Sequence, residues 1–186
     1  MSSTQDPLRS LARRAYERGR HKRAVVTCAY ALPMVAFSVV VRGPTPAILA
    51  TGALLIAVVF WMSQRGGALA RSIGPGLLAG VPPFAVPLVL HAVGHPCAMG
   101  GCLTPACAAI CMPACAIGGA VAGIVIGVST LIESKQPVST LLGASVIAIL
   151  AGTLGCWFAG LSGIFGMALA TLGASLPLVL VRARRA

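Results

Sequence analysis

Long runs of apolar residues, interrupted only by short polar connections, constrain the fold of this chain more than any other feature. The runs are continuous rather than alternating, so they predict helices and not the strands of a barrel. Hydrophobic residues make up 58% of the 186 residues and charged residues only 9%, which leaves too little polar surface for a water-soluble globule. A bilayer accepts helices because they satisfy their own backbone hydrogen bonds. We therefore expect an all-α, polytopic membrane helical bundle.

Six of these runs are long enough to be transmembrane helices, and they predict one membrane domain over residues 24–181. A basic amphipathic helix over residues 1–23 precedes this domain, because apolar residues recur there at helical spacing opposite a face of arginine and lysine. A basic tail over residues 182–186 follows it. The predicted spans lie at about 24–41, 47–62, 72–93, 106–132, 138–159 and 164–181.

Backbone signals distinguish two of the spans. In the fourth, Gly119, Gly123 and Gly127 repeat every four residues and predict close contact with another helix. The third span contains prolines, which remove backbone hydrogen bonds and bend a helix. This span is either a bent packing helix or one wall of a widened, hydrated gap, and its prolines are Pro75, Pro82, Pro83 and Pro87.

The distribution of charge predicts the orientation of the bundle. Of the 14 lysines and arginines, all except Arg42 fall on one side under this topology. Because positive residues stay on the cytoplasmic side, both termini are expected there. The net charge of +11 therefore indicates membrane orientation rather than nucleic-acid binding, and aromatic residues, at 5%, are scarce for base stacking.

The same topology places six of the seven cysteines in the outer half of the bundle and leaves Cys28 near the cytoplasm. An even set of thiols in an oxidising compartment is what disulfides require. Cys107, Cys111 and Cys115 fall at i, i+4 and i+8 on one helix face, so they seldom bridge one another. Their disulfide or redox partners should come from elsewhere, and the candidates are Cys97, Cys102 and Cys156.

Soft-metal binding is a second interpretation of the cysteine-rich segment. His91 and His95 lie four residues apart at the end of the third span, and Cys97 and Cys102 follow in a glycine-bearing loop. These four side chains are candidate ligands for Zn or Cu. Their spacing matches no zinc-ribbon pattern, and the chain contains no Cys-x-x-Cys. A third interpretation is purely structural, with disulfides that staple the loop.

Enzymatic activity is not expected. The only carboxylates are Asp6, Glu17 and Glu133, all at the predicted cytoplasmic ends of helices. General acid–base catalysis and proton-coupled transport both depend on such groups within a site or a span.

The basic N-terminus, six closely spaced spans, and thiols at the outer ends of spans four and five resemble the small six-span membrane anti-sigma factors, the NrsF-like and CarR-like proteins of proteobacteria. Cys97 or Cys102, together with Cys156, stand at the positions of that family's outward-facing cysteines. The resemblance implies a bacterial inner-membrane location, a cytoplasmic partner such as a sigma factor held by the N-terminal segment, and sensing through the outer cysteines. This chain has more cysteines than the family pattern and a shorter N-terminal segment.

The leading hypothesis is a sensor or regulator in the lipid bilayer whose outer thiols respond to oxidation or a soft metal. The response would shift the basic helix that docks a cytoplasmic partner. One alternative is a soft-metal carrier that uses the ladder of Cys107, Cys111 and Cys115, and another is an accessory membrane subunit with stapling disulfides. The residues expected to dock the partner are Arg9, Arg13, Arg14, Tyr16 and Arg18.

Overall fold

The computed structural model describes residues 5–92, 105–133, 137–157 and 160–183, and it contains no β-strand in these ranges. This confirms the all-α class. Each of the five predicted spans after the first overlaps one helix, with ends that differ by a few residues. The described residues form six helices: α1 (Gln5–Arg42), α2 (Pro46–Arg65), α3 (Gly67–Ala92), α4 (Pro105–Glu133), α5 (Pro137–Cys156) and α6 (Gly160–Ala183).

In the part of the chain that the structure describes, five helical segments are long and apolar enough to cross a membrane, which fits a multi-pass membrane protein. Large apolar side chains such as Val40, Ile117 and Leu169 remain exposed on the surface of the bundle, as expected where lipid is the surrounding solvent. Of the described helices, only α3, which covers the third predicted span, is not among the five. The five segments are Arg14–Arg42, Pro46–Arg65, Met112–Ile132, Val138–Cys156 and Gly160–Leu178.

The basic segment and the first apolar run form a single helix. α1 continues for 38 residues without a break at the expected boundary near residue 23. At about 1.5 Å per residue it is about 57 Å long, far more than a bilayer core of about 30 Å requires. The boundary between an amphipathic helix and a span is therefore a change of composition along one helix, not a turn of the chain.

The connection between α2 and α3 is much shorter than residues 63–71, the interval left between the second and third predicted spans. Gly66, with φ of 73°, caps α2, and α3 begins at the next residue, Gly67, with φ of 61°. Both values lie in the left-handed region, which glycine adopts without a Cβ penalty. The polar residues Gln64 and Arg65 remain in the last turn of α2, where their side chains find partners at the end of the bundle.

Close packing of small residues holds the helices together. α3 packs mainly on α5, and α4 mainly on α6. A Cβ on Gly119 or Gly123 would collide with the backbone carbonyls of Met167 or Thr171 on α6, so the predicted glycine stripe does permit close helix contact. α1 lies at the edge of the bundle against α2, and Val35 occupies the space that Gly52 leaves open.

Candidate functional site

Two of the predicted thiols meet inside the bundle. The thiol of Cys156 lies 2.8 Å from the Cys115 sulfur, and both side chains are 0% exposed. This distance is about 0.8 Å longer than a disulfide bond, so the two cysteines are in contact but not bonded. The sequence named Cys156 as a candidate partner for the ladder that contains Cys115, and the structure brings these two side chains together.

A third sulfur completes this group. The thioether sulfur of Met167 lies 3.8 Å from the Cys156 sulfur, and Met167 is also 0% exposed. We call Cys115, Cys156 and Met167 the sulfur cluster. Its members come from α4, the last residue of α5, and α6, so a movement of the cluster changes the contacts of three helices. Gly152 leaves the room for the methionine, because a Cβ there would collide with the Met167 sulfur.

The proline pattern of α3 adds a polar partner to the sulfur cluster. The Cys156 sulfur lies 3.8 Å from the backbone carbonyl oxygen of Pro83. In a regular helix that carbonyl would accept from the N–H of residue 87, but residue 87 is proline and has none. The Cys156 thiol therefore lies beside a carbonyl that the α3 sequence leaves without its helical donor. At this position α3 therefore packs directly against a buried side chain, as the packing interpretation of this span predicts.

The remaining predicted thiols and metal ligands are not placed by the structure. Cys107 and Cys111 belong to α4 and His91 to α3, but their side chains lie outside the described residues, and so do His95, Cys97 and Cys102 entirely. Among the described residues, no three His, Cys, Asp or Glu side chains come together as a metal site would require.

Cys28 is separate from the sulfur cluster. Its thiol lies 3.7 Å from the carbonyl oxygen of Ile56, between α1 and α2. This cysteine is half-buried and contacts backbone, so the structure supplies it with no sulfur partner among the described residues. It is therefore a useful reference thiol for experiments on Cys115 and Cys156.

The sulfur cluster is connected to α2 through the residue that follows it. The indole N–H of Trp157 donates to the Thr51 hydroxyl oxygen at 3.3 Å. At the other end of α2, the Gln64 side-chain oxygen accepts from Nε of Arg20 at 3.1 Å, and its nitrogen lies 3.3 Å from Nδ1 of His21. α2 thus contacts the neighbour of the cluster at one end and the basic part of α1 at the other.

The residues expected to dock a partner are only partly described. The side chains of Arg14, Tyr16 and Arg18 are exposed, and Tyr16 is 71% accessible. Arg9 and Arg13 belong to α1, but their side chains lie outside the described residues. The described part of this segment is therefore accessible for contact with another molecule.

Sequence reasoning missed Met167, the Pro83 carbonyl, and the contact between Trp157 and Thr51. Pro87 offered a signal, because a proline inside a helix leaves the carbonyl four residues before it, here that of Pro83, without its helical donor. Met167 offered none, since methionine is an ordinary packing residue in an apolar helix.

Comparisons with known proteins supplied no relative for this chain. No protein-family model matches it, and neither the curated proteins nor the solved structures include a similar one.

Proposed function

We propose that this chain is a membrane sensor in which Cys115 and Cys156 form a reversible switch that controls the basic part of α1. This proposal rests on the 2.8 Å distance between the sulfurs of two buried thiols that lie on different helices. A disulfide requires the sulfurs to approach by about 0.8 Å more. Because interiors are closely packed, this approach changes how α4, α5 and α6 fit together.

The switching reaction is a two-electron oxidation. Each thiol loses its proton, one S–S bond forms, and two electrons and two protons pass to an acceptor. In this proposal the acceptor is a compound that dissolves in the bilayer, because both thiols are buried among membrane-compatible helices. A quinone fits this description, since it takes up two electrons and two protons to become a quinol. Reduction by a dithiol returns both cysteines to the thiol state.

In this proposal α2 transmits the structural shift from the sulfur cluster to the N-terminal part of α1. Trp157 adjoins Cys156 and is hydrogen-bonded to Thr51, and Gln64 on the same helix holds Arg20. Thr51 and Gln64 are about 20 Å apart along α2, at about 1.5 Å per residue. A shift at the sulfur cluster that moves α2 as a rigid element would therefore reposition α1.

The output is recognition of a cytoplasmic partner by the basic part of α1. Residues 1–23 contain seven lysines and arginines and two carboxylates, so a partner with an acidic groove would match them. A sigma factor held at a bacterial inner membrane is the partner that the family resemblance suggests. In this proposal six spans place both termini in the cytoplasm, in agreement with the positive-inside rule.

The two tyrosines of the chain, Tyr16 and Tyr30, provide a test because both lie in α1. The full chain is labelled with fluorotyrosine in lipid nanodiscs, and ¹⁹F NMR spectra are recorded after reduction and after oxidation with diamide. We expect the Tyr16 resonance to shift on oxidation and to return on reduction. Cys156→Ser should abolish the shift, while Cys28→Ser should preserve it.

Other results of this experiment would refute the proposal. In one such result, oxidation bonds Cys115 to Cys156 but the Tyr16 resonance does not move. The disulfide would then only staple the helices together, as in the accessory-subunit alternative. A shift that survives Cys156→Ser but disappears in Cys97→Ser or Cys102→Ser would move the switch to the loop thiols.

A soft metal is the second candidate signal, and Met167 is the observation that favours it. Two thiolates and a thioether are ligands that Cu(I) prefers. Two sulfurs bound to one ion at about 2.3 Å each, in trigonal geometry, would be about 4 Å apart. The Cys156–Met167 separation of 3.8 Å fits this value, whereas Cys115 and Cys156 at 2.8 Å would have to separate. Met167→Leu preserves apolar volume and should weaken Cu(I) binding without affecting disulfide formation.

The carrier alternative makes a different prediction about the ladder. A carrier that passes an ion along α4 requires Cys111 as well as Cys115, whereas a sensor with a cluster at Cys115 does not. Cu(I) uptake into proteoliposomes that depends on Cys111 would favour the carrier, and unchanged uptake in Cys111→Ser would exclude it.

A further inference from the structure

A cavity of about 470 Å³ lies between α1 and the connection of α2 to α3, away from the sulfur cluster. Its volume falls within the range of about 300–1,000 Å³ found for small-molecule sites. Three arginines line it: Arg20 and Arg23 from α1, and Arg71 from α3. Tyr16 and the two glycines of the connection, Gly66 and Gly67, also line it.

The electrostatics of this cavity favour an anion. None of the described residues that line the cavity is a carboxylate, so the three guanidinium groups repel one another. α3 also begins at this cavity, with Gly67, and the N-terminal end of a helix carries partial positive charge. Arg71, four residues into α3, is therefore at the end of that helix where a cation is least favourable. A bound anion would relieve both effects.

The arginines also retain donors for such an anion. Arg20 uses Nε to bond Gln64 at 3.1 Å, and Arg71 uses Nε to bond the Gly67 carbonyl at 3.4 Å. These bonds orient the two side chains and leave their Nη groups for a ligand. Arginine presents planar, paired N–H donors that match the oxygens of a phosphate group.

We propose that this cavity is a phosphate-binding site. The phosphate belongs either to the headgroup of an anionic lipid or to a soluble phosphate compound, and both would present the same oxygens to the arginines. The proposal is independent of the cysteine switch, because no member of the sulfur cluster lines the cavity. Binding would connect α1 to the α2–α3 connection and so stabilise one position of the basic part of α1.

The test uses Tyr16, which lines the cavity, as a ¹⁹F probe, with Tyr30 further along α1 as an internal reference. The reduced, full-length protein is placed in phosphatidylcholine nanodiscs. One series adds phosphatidylglycerol to the nanodiscs, and the other adds inorganic phosphate to the buffer. We expect a saturable shift of the Tyr16 resonance alone. A response to phosphatidylglycerol identifies a lipid as the source, and a response to inorganic phosphate identifies a soluble compound.

Matched variants separate a site from general surface charge. Arg71→Gln and Arg23→Gln should raise the ligand level at half-saturation about tenfold or more, because each removes a charge-assisted hydrogen bond. Arg65→Gln removes the same charge six residues away from Arg71, where the side chain stacks on Trp61 outside the cavity. It should change half-saturation less than about twofold. Equal effects of Arg65→Gln and Arg71→Gln, or no Tyr16 shift in either series, would overturn the proposal.

Discussion

Replacement of Gly119 by alanine tests the close packing on which the sulfur cluster depends. A Cβ at this position would collide with the Met167 carbonyl oxygen and lie 3.0 Å from its Cα. These are backbone atoms, so no rotamer change relieves the overlap, and α4 and α6 must separate. Overpacking of this kind costs about 1–3 kcal/mol.

Helix propensity offsets part of that cost. Alanine is about 0.8–1.0 kcal/mol more favourable than glycine within a helix. With the upper half of the overpacking range, about 2–3 kcal/mol, we expect Gly119→Ala to lower the free energy of unfolding by about 1–2 kcal/mol. Gly166→Ala is the matched control, because it is one residue from Met167 on α6 and a Cβ there meets nothing within 4 Å.

The measurement is reversible unfolding of both variants in mixed detergent micelles, followed by circular dichroism. Gly166→Ala should match the parent protein or exceed its stability by up to about 1 kcal/mol. The two variants should therefore differ by about 1–3 kcal/mol. Equal stabilities would show that α4 and α6 are not in the described contact, and the location of Met167 in the sulfur cluster would be refuted with it.

Two further predictions concern the partners of the sulfur cluster. Pro87→Ala restores a helical donor to the Pro83 carbonyl, so the S–H stretching band of Cys156 in the infrared spectrum should move to higher frequency; an unchanged band would show that this thiol does not bond the carbonyl. Thr51→Val removes the acceptor of the Trp157 indole N–H and should cost about 1–3 kcal/mol of unfolding free energy. It should also change Trp157 fluorescence, and an unchanged emission spectrum would contradict the contact.

The sequence predicted the class of fold well, because long apolar runs and glycine spacing are local properties that packing does not override. The turn after α1 was also predictable: Gly43 adopts φ of 84°, and Thr45 caps α2 by accepting from the Ile48 N–H. The connection at Gly66 was not predictable from the sequence. The polar residues before it suggested a loop, whereas they remain helical at the end of α2 and contact α1.

The position of Cys115 on its helix could be predicted from the sequence, but its partner could not. Helical periodicity placed Cys115 on a defined face of α4, but the choice of its partner depends on how deeply α4 and α5 lie relative to each other. That depth is determined by packing between helices and not by the spacing of cysteines. Gly155 of α5 fits against Phe84 of α3, and Gly118 of α4 fits against Pro83 of the same helix. The separation of Cys28 from Cys156 was expected from topology, and the structure places these two thiols in different clusters.

The most direct test of the central claim is a thiol count on a variant that retains only Cys115 and Cys156, with the other five cysteines replaced by serine. The protein is oxidised in membranes, denatured, alkylated and weighed by intact mass spectrometry. We predict that both thiols become protected together, with the mass decrease of two hydrogens, and that a reductant restores both. If the two cysteines remain fully alkylated after oxidation, they are not a redox pair and the proposed switch is wrong.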